Sequence, residues 1–271
     1  MEVPDETDAP ASTWARLANG YLNGRLGYEQ SPSAKLGAVI VPLIPHRRAL
    51  VDRAVRHLPR PRAGVTLLDV GCGDGRFVNR ANAMGWRASG IDVDARAVDG
   101  SRRRGLPVEA AELGDLVHRT PAPRFDAITM SHVVEHLYDP LEALELSRRL
   151  LKPGGVIWIA TPNVRGLVHR RFGRDWVALD PPRHLTVLSP DALVGAVRGA
   201  GFDDVMIPAA APAFAAQFMW DSAARGWNPD RSGSRSPTAL QRLRLMILER
   251  AQLLSRKLSD ELVVIARRPG G

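Results

Sequence analysis

The sequence predicts an α/β fold built on a largely parallel sheet with helices on both faces. Three observations predict it. Short apolar runs at 65–70, 87–93, 107–111, 125–130 and 156–161 alternate with helical stretches. A turn carrying glycine at alternate positions, Gly71-Cys72-Gly73-Asp74-Gly75, follows the first run, and an acid, Asp92, stands at the end of the second. Strands separated by helices imply right-handed crossovers and so parallel neighbours.

The elements follow in order. The run 65–70 has the length of a buried strand, and the glycines after it let the backbone turn sharply and a ligand approach its amides. A helix over 76–84 stops at Gly85, and after the strand 87–93 a second helix over 95–104 stops at Gly105. A short strand at 107–111 and a longer one at 125–130 come next. The helix over 140–151 is closed by Lys152-Pro153-Gly154-Gly155, ahead of the strand 156–161. A helix over 190–200 is capped by Gly201, and strands at 204–208 and 261–267 end the pattern. Ahead of all this, residues 1–12 read as a flexible tail and 13–60 as an N-terminal helical extension broken by Pro42 and Pro45. The main domain then spans 61–271, with 209–260 as an insertion or cap. In that insertion Leu240, Leu243, Ile247, Ala251, Leu254 and Leu258 recur at helical steps, with arginines largely off the stripe. The stripe is expected to pack on the sheet or a cap; the alternative is a basic amphipathic helix resting on a membrane or a partner.

A net charge of +8 would attract polyanions. The arginines are scattered, however, and not interleaved with aromatics as base-stacking platforms are, so nucleic acid is disfavoured as a partner. With Cys72 the single cysteine, neither an internal disulfide nor a thiolate metal cluster forms. The acidic start is unlike a secretory signal, and no apolar run reaches the ~18–20 residues that span a bilayer. A cytoplasmic protein is expected.

The glycine loop and Asp92 together point to an adenosine-containing cofactor, the acid accepting hydrogen bonds from the ribose hydroxyls. Asp69 lies two residues ahead of the first glycine, and Arg76 stands where a dinucleotide loop carries its third glycine. Both disfavour a pyrophosphate and with it a nicotinamide oxidoreductase.

The ordered motifs Leu68-Asp69-Val70-Gly71-Cys72-Gly73-Asp74-Gly75, Gly90-Ile91-Asp92, Phe125-Asp126-Ala127-Ile128, His132-Val133-Val134-Glu135-His136 and Leu150-Leu151-Lys152-Pro153-Gly154-Gly155 resemble those of the class I S-adenosylmethionine-dependent methyltransferases. Within that family the chain is most similar to the small-molecule subgroup that includes relatives of the ubiquinone-pathway O-methyltransferases. The resemblance implies a seven-stranded Rossmann-like sheet and S-adenosyl-L-methionine as cofactor. It places Asp69, Gly71, Cys72 and Gly73 against the methionine part, Asp92 on the ribose and Val93 on the adenine. Glu112 and Leu113 fall at the adenine edge, and Ser131 and His132 border the reacting sulfonium. Some ubiquinone-pathway relatives hold a metal through Glu, Glu and His in the segment where this chain has His132, Glu135 and His136. Glu135 and His136 are neighbours about 100° apart on a helix, so no metal is expected.

The segment 164–188 of the resemblance commonly faces the substrate. Trp176, Arg183 and His184 are its candidate acceptor contacts, with His184 the candidate general base, since histidine takes protons near neutral pH. The expected function is methyl transfer to a small molecule at oxygen, with a hydrophobic or lipid-linked acceptor and peripheral membrane contact left open by 209–260. The alternatives are an RNA or protein methyltransferase and a non-catalytic S-adenosylmethionine-binding relative.

Overall fold

The computed structural model describes residues 12–120, 122–211, 216–227 and 238–270. The tail expected over 1–12 lies, but for Ser12, outside the described residues, as do 212–215 and 228–237 of the insertion. The chain divides into two compact units at Arg60 and Pro61.

The first unit is helical. Ser12 caps α1 (Thr13–Leu26), and Gly27 ends it in the left-handed conformation. A short helix, α2 (Gly37–Ile40), crosses α1 so closely that a Cβ on Gly37 would lie 1.9 Å from the Leu17 carbonyl oxygen. Pro42 sits in a single 3-10 turn, and Pro45 opens α3 (Pro45–Ala54), where its missing N–H costs nothing.

The second unit holds the sheet. Its strands are β1 (Thr66–Val70), β2 (Arg87–Asp92), β3 (Val108–Ala110), β4 (Phe125–Ser131), β5 (Leu151–Pro162), β6 (Asp203–Met206) and β7 (Glu261–Arg267). They lie in the order β3-β2-β1-β4-β5-β7-β6, with β1 to β5 parallel and β7 antiparallel to both of its neighbours. The helices between them are α4 (Arg76–Ala83), α5 (Ala95–Arg103), α6 (Leu113–Arg119), α7 (Pro140–Leu150), α8 (Leu167–Phe172) and α9 (Pro190–Gly199). From β1 the chain first steps towards β3 and later returns past β1 towards β5. Right-handed crossovers in opposite directions place helices on opposite faces. Residues alternate accordingly: Leu68, Ile128, Met130, Ile157, Ile159 and Val264 enter the main core under α6, α7 and α9, while Trp158, Ala160 and Val263 cluster separately.

Three local differences from the sequence reading have physical reasons. The helix α6 fills the β3–β4 crossover, started by a reciprocal cap between Glu112 and Asp115. Lys152 to Gly155 do not separate α7 from its strand; β5 begins at Leu151 and carries them as a bulge, with Gly154 at φ 76° and the Lys152 ammonium on Asp126 at 2.7 Å. The third difference concerns the insertion, where α10 (Ala216–Trp227) and α11 (Ala239–Ala251) are helices. Val168, Phe172, Trp176, Met219, Ala223 and Leu245 form a small core of their own. The stripe expected to be buried faces solvent instead: Leu240, Leu243, Ile247 and Leu254 are 52–84% exposed, and α11 packs through Leu245 and Leu248. Among the described residues no helix is long and apolar enough to cross a membrane.

Candidate functional site

The parallel strands end on one edge, and the strand order reverses between β1 and β4, where a crevice opens in doubly wound sheets. After Val70, the loop takes positive φ at Gly71, Gly73 and Gly75, conformations that glycine alone adopts without strain. Gly71 and Cys72 donate their N–H groups to the Ile91 carbonyl, at 2.8 and 3.0 Å. Gly73 donates to Asp92 Oδ2 at 2.7 Å, and Asp92 Oδ1 accepts from the Asp94 N–H at 2.9 Å. The loop is therefore clamped to the end of β2, and each Asp92 oxygen keeps a lone pair for a ligand hydroxyl. The Asp69 carboxylate is buried beneath the loop and accepts the Thr129 hydroxyl at 2.9 Å. Burial, reinforced by Asp69 and Asp92, pushes the Cys72 thiol up to about 12.

The other candidates on this edge divide. Val93 is 76% exposed and open to a flat apolar partner. Glu112 is exposed, but its side chain caps α6, and Leu113 turns into the main core. A nucleobase at this point would meet the exposed cap of α6 and not the Leu113 side chain, because the helix start buries that position. Ser131 ends β4 beside Ala160.

His132 has φ 55°, unusual for a side chain with a Cβ, and its N–H is held by the Ala160 carbonyl at 2.8 Å. Its ring stands between two carboxylates: Nδ1 meets Glu135 Oε1 and Nε2 meets Glu261 Oε1, both at 3.0 Å. Burial pulls the imidazole pKa down, and the bonds to Glu135 and Glu261 outweigh it, leaving the value at about 9. His132 is thus an imidazolium with both nitrogens in use. Glu135 is fully buried and also accepts the Thr161 hydroxyl at 3.0 Å. Beside Glu261 in sequence, Asp260 has its carboxyl raised by burial to about 7, against the pull of the Trp176 indole and with Glu261 adding repulsion.

His132, Asp260 and Glu261 wall a cavity of about 170 Å³ that His136, His184 and Phe218 complete. The Glu135 carbonyl accepts the Leu185 N–H at 2.7 Å, which ties the segment after β5 to this wall. His184 Nδ1 lies 2.6 Å from the Ala178 carbonyl and His136 Nδ1 lies 2.9 Å from the Arg183 carbonyl. A carbonyl only accepts, so both Nδ1 atoms carry protons, and in the neutral form of each ring the lone pair is on Nε2. The two rings meet edge to face, 4.7 Å between centroids.

Of the expected acceptor contacts, His184 lines the cavity. Arg183 lines it too, with its guanidinium on Asp180 at 3.2 Å. Trp176 does not: it is fully buried in the small core, because its indole packs among Phe172, Met219 and Ala223 where no acceptor reaches it. Reading the sequence missed His136 as a partner of His184, and it missed Glu261 and Asp260. The one local signal for the last two is a pair of acids immediately before the apolar run 262–266.

Glu135, His136 and His184 offer ligand atoms within 4.8 Å of one another. They do not make a finished metal site. Glu135 is held by His132 and Thr161, and His132, holding both of its protons, has no lone pair to add. One carboxylate and two imidazole nitrogens make three ligands, short of the four of a closed site.

Comparison with known proteins gives a consistent picture. Residues 44–207 match the sequence profile of a family described as "Methyltransferase domain". A ubiquinone biosynthesis O-methyltransferase of Cereibacter sphaeroides is 31% identical over 157 residues, 54% of this chain and 64% of that protein. A protein of the same description from Caulobacter vibrioides is 32% identical over 125 residues, 43% of this chain and 49% of that one. The matches thus span half to two-thirds of the relatives' length. Among solved structures, a SAM-dependent methyltransferase from Archaeoglobus fulgidus superposes with a TM-score of 0.55 at 22% identity, covering 82% of this chain and 94% of that one. That likeness is one of fold.

Proposed function

Because this chain belongs to the methyltransferase-domain family, we propose that it is an S-adenosylmethionine-dependent methyltransferase and that it methylates an oxygen of a small molecule seated in the histidine cavity. The relatives described as ubiquinone biosynthesis O-methyltransferases support oxygen as the acceptor atom. One observation carries the reading: two imidazoles are locked with their Nε2 lone pairs directed away from the backbone, in a cavity beside the end of β4.

In this reading the backbone of Gly71 to Gly73, its amides clamped to β2, passes against the methionine part of the cofactor above the buried Asp69, Asp92 takes the ribose hydroxyls, and Val93 covers the adenine. When bound, S-adenosylmethionine supplies a methyl carbon already activated by positive sulfur. The chain's task is then to align the acceptor oxygen and remove its proton. His184 Nε2 takes that proton, and its Nδ1–H bond to Ala178 steadies the imidazolium that results. His136, touching the same ring, holds the acceptor in place. His132 and its two carboxylates fix the wall between the halves of the site.

The test is incubation of the protein with cell extract and methyl-labelled cofactor, following the label into small molecules, RNA or protein. Label confined to small molecules is expected, and label in RNA or protein would overturn the acceptor class. With an acceptor in hand, His184→Ala should lower turnover by about 10²–10⁴-fold, with the calorimetric affinity for S-adenosylhomocysteine unchanged. Full turnover in that variant removes His184 from the role of base.

A further inference from the structure

The outward face of α11 has no role in methyl transfer, and its composition is unusual for exposed surface. At about 100° per residue, Leu240, Ile247 and Leu243 fall within an arc of about 60°, and Met246 lies beyond it, past Arg250. They are 56%, 60%, 52% and 54% exposed, and Leu254 in the turn after the helix is 84% exposed. Arg244 borders the arc on one side and Arg250 on the other, with Arg242 beyond Met246; all three are exposed. The helix contains a single acid, Glu249, which falls on the packed side with Leu245 and Leu248. Large apolar side chains placed together on a water-facing surface mark an interaction site.

We propose that this face docks on an anionic lipid surface. The charge decides between occupants. In a pair with a second copy of this chain, arginines would meet arginines across the apolar strip, with Glu249 turned away from both. A sheet of lipid phosphates instead attracts the positive border while the strip enters the acyl boundary, the geometry of a helix lying in the plane of a membrane. At 13 residues α11 is about 20 Å long, which suits lying on a bilayer and not crossing it. The small core beneath the helix contains Met219 of α10, and Phe218 beside it lines the histidine cavity.

The test is flotation of the full chain with vesicles of phosphatidylcholine alone and of phosphatidylcholine mixed with phosphatidylglycerol. The chain should float with the anionic vesicles only, and added salt should release it. Arg244→Gln should weaken binding about fivefold, the effect of roughly one basic residue near an anionic surface, and adding Arg250→Gln should weaken it again. The double variant Leu243→Gln, Ile247→Gln should abolish flotation. All these positions are exposed, so calorimetric affinity for S-adenosylhomocysteine should stay unchanged and certify the fold. The proposal is overturned if the chain stays unbound, floats equally with neutral vesicles, or floats undiminished in the leucine–isoleucine variant. A dimer in sedimentation velocity that this variant dissolves, with no vesicle binding, would make a second copy the occupant and overturn it too. None of these readouts depends on methyl transfer, so the proposal and the acceptor reading fail separately.

Discussion

Replacing His132 by alanine withdraws the imidazolium that stands between two carboxylates, Glu135 fully buried and Glu261 6% exposed. Removing one partner of a buried ion pair costs about 3–5 kcal/mol, because the remaining charge is left without its counter-charge. The His132 side chain is 35% exposed, so water enters the space it vacates and offsets part of that cost. A loss of about 2–3 kcal/mol is the outcome expected. For a folded unit of this size that corresponds to a fall in Tm of about 4–12 °C. The pH dependence is the sharper readout. The folded pKa of about 9 lies above the ~6.5 of a free imidazole. The stabilisation from His132 is therefore complete below about 6.5 and is lost as pH rises through about 9. Thermal melts across that range should show the native chain losing stability on the alkaline side. The alanine variant should lack that fall. An unchanged Tm in the variant, or an alkaline fall as steep as the native one, would refute the bridging imidazolium.

Two further outcomes test the donor half. Asp92→Ala removes the acceptor of the Gly73 amide together with the proposed ribose contacts. Each hydrogen bond to a charged group contributes about 1.5–3 kcal/mol, so calorimetry with S-adenosylhomocysteine should show binding about 10–100-fold weaker or more; unchanged affinity would remove Asp92 from the site. The Cys72 thiol, 7% exposed and raised to about 12, should resist a thiol reagent at neutral pH until denaturant opens the fold, and rapid labelling of the native chain would contradict the packed loop.

How much of this was legible in the sequence depends on whether a position acts through its own backbone or through its neighbours. The turn after β1 requires positive φ at 71, 73 and 75, and each of those residues is glycine. The helix stop at Gly85, at φ 94°, is readable for the same reason. The α11 stripe was readable as a period and misread as to side. Periodicity fixes which residues share a face; the opposing surface decides whether that face is buried. Here the core around Trp176 takes Leu245 and leaves Leu240, Leu243 and Ile247 outside. Trp176 was misplaced by the same ambiguity, since a large aromatic near a site suits its lining and its foundation equally well.

The acceptor half was hidden for a topological reason that also explains its position. In a parallel sheet the last residues of each strand reach the working edge, so Asp92 and Ser131 are found by reading to the end of an apolar run. β7 runs against its neighbours, with Glu261 opposite Pro162 at the end of β5, so its first residue reaches that edge. Asp260 and Glu261 arrive beside His132 although 129 residues separate Glu261 from it in sequence. An insertion placed just before an antiparallel strand is likewise delivered to the mouth of the site. This is how Phe218 of α10 comes to line the cavity. The donor site is built from one turn and the ends of β1 and β2, whose backbone geometry admits few residues. The cavity is assembled from β4, the segment after β5, the insertion and β7, and its side chains carry no local conformational demand. In the proposed reading, sequence changes in that assembly alter what is methylated and leave the glycine loop and Asp92 in place.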